Sequence, residues 1–304
     1  MADKTNKSLT LHDLPEWIEQ NADELITKAV FSPMSTTLFK VQTGVKAKTA
    51  LNLLDTVVTF GDGSVCGFTN TTSSTISQRY IDPGYIKINA EYCDKDFLNT
   101  FANHEVNMAA GRENLPFEEY FVEDIRKQMG KNLEIAIWQG DKTSANANLN
   151  KFDGLLKIMT ADVPQANKQA KGSDTILTRV WKVYNAIPEE VLFDEVIYLN
   201  NANFRALVKA LVDSNLYHYE RNIDESLDII LPGTNTHVKA INGLTGVDTV
   251  IALNPDHVVY GVDLQGDAEE YKLWFSQDND TFRLKISFAA GVQIALPNEI
   301  IMNS

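Results

Sequence analysis

Cys66 lies in the run Gly63-Ser64-Val65-Cys66-Gly67. A thiol on such a loop can act as a nucleophile only when a histidine base stands beside it and an acid orients that base. Only His12 precedes it, and the surrounding Thr69–Ser77 stretch is nearly all threonine and serine, too poor in apolar groups to hold a rigid site. Cys66 therefore reads as a small residue in a strand turn. The five histidines (His12, His104, His218, His237, His257) never fall at the three- or four-residue spacing of a helical metal site. His218, between Tyr217 and Tyr219, reads as a packing histidine. Two acidic groups could offer oxygens to a hard cation: Asp278-Asn279-Asp280, and Asp263, Asp267, Glu269 and Glu270. Neither has the twelve-residue calcium loop with its late glutamate, and a solvated turn between strands explains each. Asn70-Thr71-Thr72 matches a glycosylation acceptor, which has meaning only for an exported chain. No glycine-rich phosphate loop follows a strand. The expectation is no catalytic, cofactor-binding or metal-binding residue and no enzymatic activity.

The elements that would position such groups are clearer than the groups. Asp13 can cap an N-terminal helix whose Leu14, Trp17, Ile18, Leu25, Ile26 and Ala29 share one face, with Glu16 completing a capping box. That helix should stop near Ser32-Pro33. From Thr36 to about Tyr92 the texture is β-prone, with turn signals at Gly44, Gly61-Asp62-Gly63, Asn70 and Asp82-Pro83-Gly84. These are two or more long strands projecting from the body. Next comes the strongest element, a helix over about 115–139. Asn114 is its cap candidate, Pro116 its first turn, Glu118 and Glu119 suit its dipole, and Gly140 suits its end. Phe117, Phe121, Ile125, Met129, Leu133 and Ile137 recur every four residues as an apolar ridge on a rod of roughly 37 Å. The ridge should pack on the chain's own closing strands, Phe282–Phe288 and Val292–Leu296.

A helix opening at Ser173 or Asp174 carries Ile176, Leu177, Val180, Trp181 and Tyr184 and ends at Pro188. A buried strand over Glu195–Leu199 feeds a helix with Phe204, Leu207, Val208, Leu211 and Val212. Strands are expected at Val247–Leu253, His257–Val262 and Tyr271–Phe275. Helices and strands mix without strict alternation, so the fold class is α+β.

Composition excludes several classes. At 304 residues the chain can bury a core without staples, and 44% apolar with 22% charged residues is a globular balance. Lys plus Arg number 27 against 41 Asp plus Glu, a net charge of −14. That excess opposes gripping nucleic acid or anionic lipid. No apolar run approaches the ~20 residues of a membrane span. Acids stand where a signal peptide would be apolar, and two cysteines make no disulfide framework, so a reducing cytoplasm is expected.

Several phrases, in order, carry a resemblance. Glu134-Ile135-Ala136-Ile137-Trp138-Gln139-Gly140-Asp141 closes the long helix, and Phe152-Asp153-Gly154-Leu155-Leu156 follows at short distance. Ile197-Tyr198-Leu199-Asn200 then precedes a Phe-centred helix, and Phe282-Arg283-Leu284-Lys285-Ile286-Ser287-Phe288-Ala289-Ala290-Gly291-Val292 forms the ending, where a closing strand returns to the long-helix domain. Over about residues 30–304 the chain resembles the major capsid proteins of tailed bacteriophages, the Hong Kong 97-type shell fold. The resemblance implies an N-terminal arm (1–35), an extended β-loop (36–92), a peripheral domain with the spine helix (93–172 and 263–304) and an α/β axial domain (173–262). It implies a subunit that assembles into hexamers and pentamers of an icosahedral or prolate head around double-stranded DNA, in the host cytoplasm, without sequence-specific contacts or a membrane. Portal, scaffolding and decoration proteins are the implied partners. The arm is too short to contain the scaffolding segment of many relatives, so a separate scaffold or none is expected, and no covalent cross-link is carried over. Trp17, Ile18 and Leu25 are the candidate residues for docking the arm on a neighbour. The alternatives are an encapsulin-type nanocompartment shell and, from another class, an acidic cytosolic hydrolase.

Overall fold

Unbroken apolar runs build the centre of the molecule. Val196–Leu199 (β6) and Val250–Leu253 (β9) are apolar at every position, the pattern of strands covered on both faces. They lie inside a six-stranded sheet, flanked on one side by Ile301–Asn303 (β13) and the two-residue Lys168–Gln169 (β5). On the other side stand His237–Ala240 (β8) and Asp228–Ile230 (β7), giving the order β5-β13-β9-β6-β8-β7. The computed structural model describes residues 30–60, 72–93, 117–214, 227–263 and 271–304, and single positions at 15, 18, 28, 95, 100 and 104.

Side-chain alternation splits this sheet between two cores. Ile197, Leu199, Val250, Ala252 and Ile301 face Val180 and Val183 of one helix, Ile176–Ala186, and Phe204, Leu207 and Leu211 of another, Asn201–Asp213. Tyr198, Ile251, Leu253 and Met302 point the other way, into a larger cluster around the spine helix. One sheet is thus the wall between two hydrophobic cores.

The spine helix, Phe117–Gln139, spans 23 residues. Met129, Leu133 and Ile137 are buried in the larger cluster, with Phe121 and Ile125 packed at its edge. Phe282, Leu284, Ile286, Phe288, Val292 and Ile294 belong to that same cluster. Burying each such side chain contributes ~1.5–3 kcal/mol. Phe121 also meets Tyr92 edge-on at 5.2 Å. Phe117 opens the helix, and its side chain lies outside the described residues.

The second sheet centres on Thr281–Ile294 (β12), a single 14-residue strand. Gly84–Cys93 (β4) runs antiparallel along its 281–290 stretch. On the opposite edge Tyr271–Ser276 (β11) pairs with 281–286 and Val258–Val262 (β10) with 290–294. Lys40–Thr43 (β1) adds in parallel to β10.

Four readings from sequence change. The closing strand is one element, not two, because Ala289-Ala290-Gly291 keep pairing across the expected break, opposite Tyr85, Gly84 and Gly261. Strand β4 belongs to the body rather than to a projection, since its alternating Ile86, Ile88, Ala90 and Tyr92 pack on the larger cluster. Thr175, rather than Ser173 or Asp174, caps its helix by accepting from the Thr178 amide at 3.3 Å. Ile18, expected to face a neighbour, is fully buried among the chain's own core residues and presents no exposed surface. Trp17, Leu25 and the expected caps Asp13 and Asn114 lie outside the described residues.

Candidate assembly surface

Thr49–Val58 (β2) and Thr72–Ile81 (β3) form an antiparallel ribbon that pairs with no other strand among the described residues. Threonine, serine and β-branched residues suit an extended chain, and cross-strand pairs reinforce it. The Thr56 and Ser74 hydroxyls meet at 3.1 Å, and Gln78 Nε2 donates to Asn52 Oδ1 at 2.9 Å. Ten residues at about 3.4 Å give a rod of roughly 34 Å, and an isolated two-stranded ribbon is marginal in water. Its register sets Leu54 opposite Ile76, and these remain 70% and 72% exposed. Val57 and Val58 are also exposed, and Phe60 is 97% exposed. An apolar cross-strand pair left in solvent on such a ribbon is a surface prepared for contact.

The root is held firmly. Arg79 pairs with Asp162 on the helix Leu155–Asp162 and donates to Gln293 of β12. Gln293 Nε2 donates in turn to the Tyr80 carbonyl at 2.6 Å. Lys142 pairs with Asp82, the Tyr85 hydroxyl donates to the Lys46 carbonyl at 2.7 Å, and Lys48 stands 4.8 Å over the Tyr80 ring. Ile81 and Val45 are buried there. The ribbon therefore projects from a fixed base.

A second polar device ties the entering chain to the spine. Ser35, in the short helix Met34–Leu38, donates to the Glu134 carboxylate from its amide at 2.9 Å and from its hydroxyl at 2.7 Å. Trp138 Nε1 donates to the same hydroxyl at 2.7 Å. Burial pushes the Glu134 carboxyl above its ordinary range, while the Ser35 bonds and the Gly243 amide pull the other way. Trp138 also tilts against Phe39 at 5.8 Å and Tyr198 at 5.7 Å, joining the entering segment, the spine and the six-stranded sheet. Gly243 makes this possible, because a side chain there would collide with the indole. Gly140 and Gly154 likewise touch back to back: the Gly154 amide donates to the Gly140 carbonyl at 2.8 Å, and a Cβ on Gly154 would stand 2.5 Å from the Gly140 nitrogen.

No family model matches the sequence, and no curated protein matches it. Solved structures do. A chain of the satellite phage P4 procapsid, in a structure that includes the size determination (Sid) protein, superposes with a TM-score of 0.66 at 11% identity. That match covers 93% of this chain and 90% of the other. The capsid of an empty GTA particle gives 0.59 at 12% identity over 91% and 89%. The cyanophage A-1(L) capsid gives 0.58 at 15% identity over 90% and 92%. The chain has the Hong Kong 97-type capsid fold.

Of the groups singled out for chemistry, the structure describes some and not others. Cys66, His12, His218, Asp267, Glu269 and Glu270 lie outside the described residues. Cys93 is an exposed thiol at the end of β4. Asp278–Asp280 form the turn joining β11 to β12, with Asp280 at φ 51°. His237 stands 3.1 Å from Asp228 across the β7–β8 pair. Among the described residues no three His, Cys, Asp or Glu side chains converge as metal ligands. Sequence reading missed the Ser35–Glu134–Trp138 contact, whose members lie 99 and 103 residues apart; a lone glutamate on the apolar side of the spine was the available signal.

Proposed function

We propose that the chain is the major capsid protein of a tailed phage, a structural subunit and not an enzyme. It assembles with copies of itself into hexamers and pentamers of a closed shell, built in the host cytoplasm, that encloses double-stranded DNA. Heterologous contacts that close into rings make such containers. The ribbon carries the reading: on a capsid fold, it displays Leu54 and Ile76, exposed on a projection that pairs with no other strand among the described residues, where another molecule can bury them. A net charge of −14 suits a container that must release its DNA rather than grip it. Residues 93–172 and 263–304 serve as the peripheral domain and 173–262 as the axial domain, with strand β10 contributing to the former's sheet. Trp17 and Leu25 dock the arm, while Ile18 stays in its own core. Portal, scaffolding and decoration proteins complete the partners.

The test is electron microscopy and sedimentation of the full chain beside a Leu54→Ser/Ile76→Ser variant. The parent should form shells or capsomers. The variant should remain soluble with unchanged protomer melting and lose them. A parent that stays a 34.0 kDa monomer at every concentration and salt overturns the proposal. Shells filled with a host protein instead of DNA would assign the nanocompartment role.

A further inference from the structure

Ile81, the last residue of β3, is fully buried where the ribbon meets the body. It rests on two glycines that face each other across β10 and β12, Gly261 and Gly291. Their missing side chains make the seat: a Cβ on Gly261 would stand 3.0 Å from Ile81 Cγ2, and one on Gly291 3.3 Å from it. Val45, on the way out to β2, is buried over the same Gly261. The turn beyond Ile81 belongs to the body. Asp82 pairs with Lys142, and Gly84 lies so close to the Lys151 carbonyl that a Cβ there would overlap it.

Outward of this seat the attachment is narrow. Among the described residues, the hydrogen bonds and ion pairs that tie the ribbon beyond Ile81 to the body all leave from Arg79 or Tyr80. Arg79 stands two residues from Ile81, on the same face of the strand. Its Nη2 pairs with Asp162, the last residue of the helix Leu155–Asp162, and donates to Gln293 Oε1 at 3.2 Å. Gln293 Nε2 donates to the Tyr80 carbonyl at 2.6 Å, and its Oε1 also accepts from the Ile294 amide at 2.9 Å. A guanidinium is a rigid planar fork, so Arg79 braces the strand against a helix and a sheet at once.

We propose that Ile81 is the pivot of the ribbon and Arg79 its brace, so that one side chain sets the direction in which the ribbon leaves the body. A rod of roughly 34 Å turns a small rotation at its root into a large displacement at Leu54 and Val58. Breaking the brace frees rotation about Ile81 and leaves both cores intact, because Arg79 belongs to neither. The consequence for assembly rests on the capsid reading above. Heterologous contacts close into a ring only at a set angle and otherwise run on as open arrays. Arg79 and Asp162 are thus positioning residues for closure, distinct from the exposed pair that makes the contact.

Two measurements separate the brace from the capsid reading. The first uses dissociated protomer of the full chain with Cys66→Ser and Cys93→Ser. Nitroxide labels go on Thr75→Cys in the ribbon and Ala206→Cys on the helix Asn201–Asp213, both exposed positions. Double electron–electron resonance should give one narrow distance peak in the parent. Arg79→Ala should spread that peak while the melting temperature holds. Asp162→Ala, which leaves the ribbon's own sequence intact, should spread it equally, and the double variant no further. A narrow, unmoved peak in either single variant overturns the brace, whether or not shells form. The second is electron microscopy, where the parent should give shells of one diameter and either variant open or mixed-size assemblies. Shells of the parental diameter from a variant whose peak has spread overturn the role in closure. A parent with one narrow peak that spreads in both variants, yet never assembles, removes the capsid reading and leaves the brace standing.

Discussion

Ser35→Ala deletes one oxygen atom from the junction of the entering chain and the spine. That oxygen donates to the Glu134 carboxylate at 2.7 Å and receives the Trp138 indole N–H at 2.7 Å. Loss of a hydrogen bond to a charged group costs about 1.5–3 kcal/mol, and a buried, unpartnered indole donor costs about 1–3 kcal/mol more. The Ser35 amide bond to Glu134 survives at 2.9 Å, and alanine leaves almost no cavity, so the sum settles near 3–5 kcal/mol. A domain is stable by only about 5–15 kcal/mol. Urea unfolding of dissociated protomer should show the midpoint falling by roughly 1 M or more. Trp138→Phe removes the donor from the other side, so the two changes together should cost about 1 kcal/mol less than their sum. A loss below about 1 kcal/mol for Ser35→Ala, with no coupling to Trp138→Phe, would refute the claim that this node fastens the entering segment to the spine.

Glu134→Gln should flatten the pH dependence of protomer unfolding: because the folded carboxyl is raised by burial, its stabilisation is complete below the ordinary glutamate value and is lost as pH rises through the folded one, which a urea series from pH 4 to 8 detects. Asp248→Asn should act at the opposite end, since hydrogen bonds from Lys171 and Arg179 hold Asp248 well below the carboxylate range; the parent loses this contribution on acidification below about pH 4, and the variant should start lower at neutral pH and fall less in acid. Leu133→Ala, in the buried ridge, should cost about 2–5 kcal/mol by the same unfolding assay, whereas Lys127→Ala on the exposed side should stay within roughly 0.5 kcal/mol. Gly154→Ala drives a methyl into the Gly140 backbone and should cost about 1–3 kcal/mol or more, and Gly246→Ala, with open space but φ +81°, should melt closer to the parent.

The sequence made the spine readable because a four-residue apolar recurrence over 23 residues has no competing explanation. Strand β6 was readable as buried and β9 as a strand, since each is a short apolar run. What sequence alone did not reveal depends on distance along the chain. Tyr85–Ala90 alternates identically whether it projects or joins a sheet, and only its pairing with Ala289 to Leu284 decides. The strands β7, β8 and β13 are three or four residues long, too short for any period to register. Ile18 sits on an amphipathic face that fits its own core or a neighbour equally well, and no local pattern says which. The ribbon was visible as β-prone and polar, but its exposed pair could not be read, because Leu54 and Ile76 become neighbours only through the register of β2 on β3.

That register also separates a buried core from an exposed apolar surface within one chain. The two cores share the six-stranded sheet as a common wall, so each needs the other and neither needs a second molecule. The ribbon is the reverse: its root is fastened by Arg79, Gln293 and Lys142, yet Leu54, Val57, Val58 and Ile76 of its outer half are exposed. Rigid attachment removes the freedom a loose loop would lose on binding, so contact energy at Leu54, Ile76 and Phe60 goes into association rather than ordering. Polar threonine and serine between those apolar points keep the free protomer soluble by avoiding one continuous greasy edge. A chain that only had to fold would gain nothing from such a projection. One that folds first and assembles afterwards, as proposed above, needs its core finished and its contact surface left open, and this division of residues fits both.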